Sequence, residues 1–184
     1  MSLLPANRPQ QTAAATLALL AAAKLDPNQV LVIGQRGYFR DSMGKPGVND
    51  RGLYDDAFIV HSPRTHRAFN GNTDPSVGRP GMAVLKPGAW KYQPGIHGLS
   101  HPVGPRRYPA FVQTGPVTVH RDGGSDDTGF FGINIHHGGE VGTSSLGCQT
   151  VPPEQWDEFH SLVLEDLRYY GQHSFTYLLV EHQG

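Results

Sequence analysis

Apolar residues along this chain fall mostly in short runs with turn residues between them, a spacing that predicts strands more often than helices. Gln29–Ile33 (QVLVI), stopped by Gly34, predicts a buried strand, and Ala57–His61 (AFIVH) predicts a second. Met82–Leu85, Ala89–Tyr92, Ala110–Thr114, Val117–Arg121 and Phe130–His136 follow at short intervals, and Ser174–Val180 (SFTYLLV) closes the chain as a further buried strand. Two segments differ. The alanine-rich run Ala13–Ala23 favours a helix, with Asn7 or Thr12 as its cap and Asp26-Pro27 as its stop. After Pro152-Pro153, residues Trp156, Phe159, Leu162, Val163, Leu167 and Tyr170 recur at helical spacing and leave one apolar face, ended by Gly171.

The polar stretches are read as connections. Gly37–Asp56 is long for a loop in a compact domain. It is either a lid or binding loop, or a surface excursion fixed by turns at Lys45-Pro46-Gly47 and Asn49-Asp50. Thr65–Pro80 reads as turn-rich, most clearly over Asn70–Gly81. Arg121–Gly129 (RDGGSDDTG) reads as a hairpin connection, because its aspartates do not match the spacing of an EF-hand loop. The expected architecture is mainly β with flanking helices near 10–25 and 153–170, a sandwich or barrel. One domain spans 1–184, with 1–27 as an N-terminal helical segment packed on it.

Composition narrows the function classes. Glycine (23) and proline (15) are too abundant for a helical bundle. Fifteen basic residues against sixteen acidic ones leave no basic stripe, so nucleic acid is not an expected partner. The alanine-rich run is too short to span a membrane, and its upstream flank, with Arg8 between Pro5 and Pro9, argues for a packed helix over a secretory signal. A single cysteine excludes an internal disulfide and any zinc site that needs several thiolates.

Chemistry concentrates in FFGINIHHGGEVGTSSLGCQTVPPEQW, Phe130–Trp156. Period-two alternation puts Ile133 and Ile135 on one face and Asn134 and His136 on the other; His137 points with the isoleucines unless the strand has ended. A glycine turn follows, then Cys148 just ahead of a helix. A histidine beside a thiol can take its proton and make it a nucleophile, and small residues such as Ser145 and Gly147 let backbone approach a substrate and aim N–H groups at an oxyanion. A lone cysteine is more often a small buried hydrophobe, and with ten histidines in the chain proximity alone decides nothing.

Ile135-His136, Gly138-Gly139 and Ser145-Leu146-Gly147-Cys148 together resemble the active-site segment of the L,D-transpeptidase (YkuD-like) family. The resemblance is to compact phage-lysis and interbacterial-toxin versions of that family. It implies a β-rich YkuD-like catalytic domain without a cofactor, acting on peptidoglycan stem peptides in the periplasm or cell wall. Cys148 would be its nucleophile and His136 its general base, with Ser145 and Gly147 shaping the cysteine turn. Asn134, His137, His97 and Gly138 would be substrate-contacting residues. It further implies hydrolysis or D-amino-acid exchange, delivery by lysis or injection, and, for a toxin, an immunity protein as partner. Leu146 stands where the family has histidine, Gln149-Thr150 replace an aliphatic and a basic residue, and the His136–Cys148 separation, 148 − 136 = 12 positions, is short.

His97, in a second Ile-His-Gly at 96–98, and His137 are rival bases. Two other classes stay open: a zinc hydrolase built from His97, His101, His120 and His136, and a non-catalytic wall-binding β module.

Overall fold

The computed structural model describes residues 2–104 and 106–183. The chain is mainly β. Its eight-stranded sheet runs in the order β10-β9-β6-β5-β11-β1-β2-β3, formed by β1 (Leu31–Arg36), β2 (Asp56–Ser62), β3 (Thr65–Gly71), β5 (Gly88–His97), β6 (Tyr108–Gln113), β9 (Ile135–His137), β10 (Gln149–Val151) and β11 (Phe175–Glu181). The two ends of that order meet. Asn72, just past β3, exchanges both backbone hydrogen bonds with Thr150 of β10 (2.8 Å each), so the sheet curls into a nearly closed barrel. β4 (Ala83–Leu85), β7 (Val117–Arg121) and β8 (Asp126–Gly129) form a separate antiparallel sheet of three.

Alternation explains why the central strands are apolar on both faces. In β1, β2 and β11 one set (Val32, Phe58, Val60, Phe175, Tyr177, Leu179) enters the main core. The other (Leu31, Ile33, Ala57, Ile59, Leu178) enters a smaller cluster with Leu20. Leu20 belongs to helix α1 (Ala13–Ala22), whose N-cap Thr12 accepts a hydrogen bond from the Ala15 N–H (3.1 Å). The helix is shorter than expected and stops before Asp26-Pro27, at Ala23, with Lys24 at φ 56°. Helix α2 (Pro153–Tyr169) buries the expected Trp156, Phe159, Val163 and Leu167 against the main core, with Leu162 and Tyr170 partly buried beside it. Gly34 is fixed by packing, since a Cβ there would lie 2.2 Å from the Tyr177 hydroxyl.

Three strand expectations are corrected. Within Arg121–Gly129, read as a hairpin connection, Asp126–Gly129 is β8 and pairs with β7. Thr65–Gly71 lies inside the stretch read as turns but pairs with β2 along its whole length, the pairing of Val60 with Arg67 and His61 with His66 overriding its polar composition. Phe130–Asn134 is not ladder strand. The Gln113 side chain takes the N–H groups of Phe131 (3.2 Å) and Ile133 (3.0 Å), and the Asn134 N–H goes to the Cys148 sulfur, so side chains replace a neighbouring strand.

The 37–56 stretch is irregular, as expected, and carries buried charge where it rejoins the sheet. The Arg36 guanidinium donates to the Thr73 hydroxyl (3.0 Å) and to the carbonyls of Thr73 and Leu85 (2.9 Å each), and pairs with Asp74 and Glu181. Asp56 accepts from the N–H groups of Gly37 and Thr73. Beside them, burial first and then the charges of Asp74 and Asp50 push the Asp55 carboxyl up to about 7, against the Asp50 N–H that it accepts. A folded-state value above the ordinary 3.8 means that the unfolded chain releases the proton first. The stability is therefore present below about pH 4 and lost as pH rises through about 7. Asp55→Asn, which keeps an oxygen for the Asp50 N–H, is expected to raise stability at pH 8 by about 1–2 kcal/mol and to change little near pH 4. Thermal melts at both pH values check this, and an equal shift at both would refute it.

Candidate functional site

The turn that carries Cys148 is held by its own small side chains. Ser145 donates from Oγ to the Cys148 carbonyl (2.6 Å) and accepts from the Gly147 N–H (3.0 Å). Its own backbone is clasped by Ser76, whose Oγ takes the Ser145 N–H (2.7 Å) and whose N–H reaches the Ser145 carbonyl (2.9 Å). Gly147 has φ 135°, and a Cβ there would lie 2.6 Å from the Ala83 carbonyl oxygen, so no other residue fits. The Gly147 N–H is engaged by Ser145, so of the N–H groups of that turn this one is already satisfied within it. After Cys148 the chain enters β10, parallel to β9, with the Gln149 N–H on the Asn134 carbonyl (2.8 Å).

Three side chains converge there. One nitrogen each of His97 and His136 and the Cys148 sulfur all lie within 4.8 Å of one another, and the two imidazole centroids are 4.2 Å apart. Each group arrives on a different element: His97 at the end of β5, His136 in β9, Cys148 on the turn before β10.

Hydrogen bonds fix the ring states. His136 Nδ1 sits 2.6 Å from the His137 carbonyl, which only accepts, so Nδ1 carries the proton and Nε2 keeps its lone pair. His97 Nδ1 is 3.1 Å from Asn134 Nδ2, an arrangement in which the amide donates and His97 bears its proton on Nε2.

Burial, followed by the neighbouring His97, pushes the His136 imidazole down to about 3, and His97 is lowered by burial first, then by His101 and His137. Burial likewise pushes the Cys148 thiol up to about 11, against the Asn134 N–H that reaches its sulfur at 3.4 Å. The thiol donates to the Gly132 carbonyl at 3.4 Å. Burial thus disfavours the charged form of all three groups, thiolate and imidazolium alike.

His97, Gly132 and Asn134 open onto a groove of about 910 Å³. Its walls include Gln93, Val112 and Gln113 from β5 and β6, and its rim is apolar and exposed at Ile96, Leu99, Phe130 and Leu146. Leu146 is 69 % exposed. Cys148 is only 9 % exposed and does not line this groove, but its sulfur touches the backbone of two residues that do, Gly132 and Asn134. Two open depressions elsewhere, around His66 and Arg64, touch neither the thiol nor these imidazoles.

Of the residues singled out in the sequence, Cys148, His136, Ser145, Gly147, Asn134 and His97 gather in this place. His97, one of the rival bases, stands beside His136 as a third member. His137 stays beside the trio without joining it: its ring packs on Tyr108 (4.2 Å), the ring that also stacks on His97, and lies 6.3 Å from Trp156. Gly138 is a packing position. A Cβ there would meet the Tyr54 hydroxyl at 2.0 Å, so it is corrected from a substrate contact to a residue under Tyr54. The four-histidine zinc set is not assembled, because His120 sits in the three-stranded sheet against Asp126 (3.0 Å).

Tyr108 was not foreseen. Its ring stacks on His97 (5.1 Å), and its hydroxyl lies 3.2 Å from His136 Nδ1. Pairing of Tyr108 with His97 across β5 and β6 puts it there, a register that local sequence does not reveal. Gln149 stands out in the sequence only as a departure from the family pattern. It is fully buried, accepts from the Tyr177 hydroxyl (2.9 Å), and donates to the carbonyls of Gly147 (3.2 Å) and Thr73 (3.3 Å). No protein-family model, curated protein or solved structure matches this chain.

Proposed function

We propose that this protein is a cysteine acyl-transfer enzyme, similar to L,D-transpeptidases, that acts on peptidoglycan stem peptides. The observation that carries the proposal is the convergence of Cys148, His136 and His97 beside a groove of about 910 Å³ that His97 itself lines. In the first step Sγ attacks a peptide carbonyl carbon lying against Gly132 and Asn134, and its proton passes to His136 Nε2. The tetrahedral adduct expels the amine of the following D-residue, which takes the proton back from His136. A thioester remains. Water or an amine then attacks it, again losing a proton to His136, and the thiol is restored.

Cys148 Sγ becomes the nucleophile only as His136 takes its proton, so the proton transfer has to accompany attack on the bound carbonyl. The apolar rim at Ile96, Phe130 and Leu146 gives the peptide side chains a surface, and Leu146 in place of the family's histidine makes that rim more apolar. Such a substrate places the work in the periplasm or cell wall, reached by lysis or injection, and a toxin of this kind would need an immunity protein.

Digestion of purified muropeptides, followed by mass spectrometry with and without a free D-amino acid, tests the reading. Tetrapeptides are expected to lose their terminal D-residue in water and to exchange it when the D-amino acid is supplied. Unchanged tetrapeptides and cross-linked dimers would overturn it. Among the described residues no helix is long and apolar enough to cross a membrane.

A further inference from the structure

The same three side chains form a set that acyl transfer alone does not require. A thiol with one imidazole is sufficient as nucleophile and base. A second imidazole is nevertheless held with one of its nitrogens within 4.8 Å of the sulfur and of a His136 nitrogen. Two imidazole nitrogens and one sulfur are the donor types that favour zinc over magnesium or calcium. Ligands around a tetrahedral zinc stand about 3.3–3.6 Å apart, given zinc–nitrogen and zinc–sulfur bonds of about 2.0–2.3 Å. The 4.8 Å within which these atoms lie is wider than that spacing, and side-chain rotation would have to close it on binding. Of the three, His97 lines the groove, which is the side from which a fourth ligand would approach.

The outer nitrogens are supported as metal-bound imidazoles usually are. The His136 Nδ1–H is held by the His137 carbonyl, which leaves Nε2 for a metal. His97 Nδ1 is held by the Asn134 side chain. If the Asn134 amide turns over, its oxygen accepts from a protonated Nδ1, and Nε2 of His97 becomes a lone-pair donor as well.

We propose that His97, His136 and Cys148 bind one zinc-class divalent cation, and that this ion holds the enzyme inactive by occupying the nucleophile. Binding replaces the S–H bond with a metal–sulfur bond and releases one proton to water, with no change of oxidation state. The inhibitory half rests on the acyl-transfer reading given above, whereas the binding half stands on the geometry alone.

Cobalt(II) is the probe for the binding half, because a thiolate ligand gives it a charge-transfer band in the near ultraviolet and tetrahedral coordination strengthens its visible bands. Titration of the reduced full chain with cobalt(II) is expected to saturate at one ion per chain, and zinc to displace it at the same stoichiometry. Cys148→Ser is expected to abolish the charge-transfer band. His97→Ala, which alters a half-buried groove position and keeps the test open should Cys148→Ser fail to fold, is expected to weaken binding at least 10-fold. Absence of the band in the wild-type protein, or its survival in Cys148→Ser, would overturn the site. Muropeptide turnover with zinc and then with chelator reads the second half: inhibition reversed by chelator supports it, and full activity at saturating zinc overturns it. A protein that binds cobalt through Cys148 yet turns over no muropeptide without metal supports the cation site and removes the acyl-transfer reading.

Discussion

Cys148→Ala is expected to lower muropeptide turnover by about 10³-fold or more, the scale of removing a nucleophile that works with its base as a unit. The fold should survive the change. The sulfur makes only two long hydrogen bonds, to the Asn134 N–H and the Gly132 carbonyl at 3.4 Å each, and the turn around it is held by Ser145 and Ser76. A melting temperature within a few degrees of wild type is therefore expected, which separates loss of chemistry from loss of structure. Intact-mass measurement gives a second readout. Wild-type protein quenched during turnover should carry the mass of one acyl group, and the alanine variant should carry none. Undiminished turnover in the variant would remove Cys148 from the mechanism altogether.

The largest stability effect is expected one residue later. Gln149→Leu, close in volume, should cost about 3 kcal/mol, because buried groups that lose their partners pay about 1–3 kcal/mol each. The Tyr177 hydroxyl would lose its acceptor and the Gly147 carbonyl its donor, while the Thr73 carbonyl would still have Arg36. Chemical denaturation should show a lower midpoint. The double variant Gln149→Leu/Tyr177→Phe should recover part of the loss, since it removes one orphaned hydroxyl. A wild-type midpoint in the single variant would show that this buried network contributes nothing to stability. The effect also bears on the site, because Gln149 holds the Gly147 carbonyl immediately before the nucleophile.

Much of this was legible in the chain. Strands that alternate two apolar sets, such as β1 and β11, announce themselves as continuous apolar runs, and α2 announces itself by its periodic face. Cys148 and His136 were legible because they share one segment, and local alternation was enough to separate Asn134 and His136 from the isoleucines. The remainder depends on pairings between distant residues. β3 is polar in composition and is a strand because β2 lies beside it. Phe130–Asn134 looks like a strand and is not one, because Gln113 satisfies its backbone from another element. Tyr108 joins the histidines only through the β5–β6 register, and Gln149 looks like a surface residue until Tyr177 is placed opposite it.

The closure of the barrel has a mechanical meaning. A hoop under thermal stress opens where it is thinnest, and around this ring the central pairings run five to seven residues deep. β9 and β10 share three, Phe111 meets Ile135 alone, and the seam between Asn72 and Thr150 is one residue pair. The segment that brings His136 and Cys148 together is thus flanked by the two thinnest joints of the ring, and breathing at the joint with β6 would carry both away from His97 on β5 while the rest of the wall stayed shut. Rigidity in the thick arc and compliance in the thin one are divided within a single sheet, with the reactive groups on the compliant side.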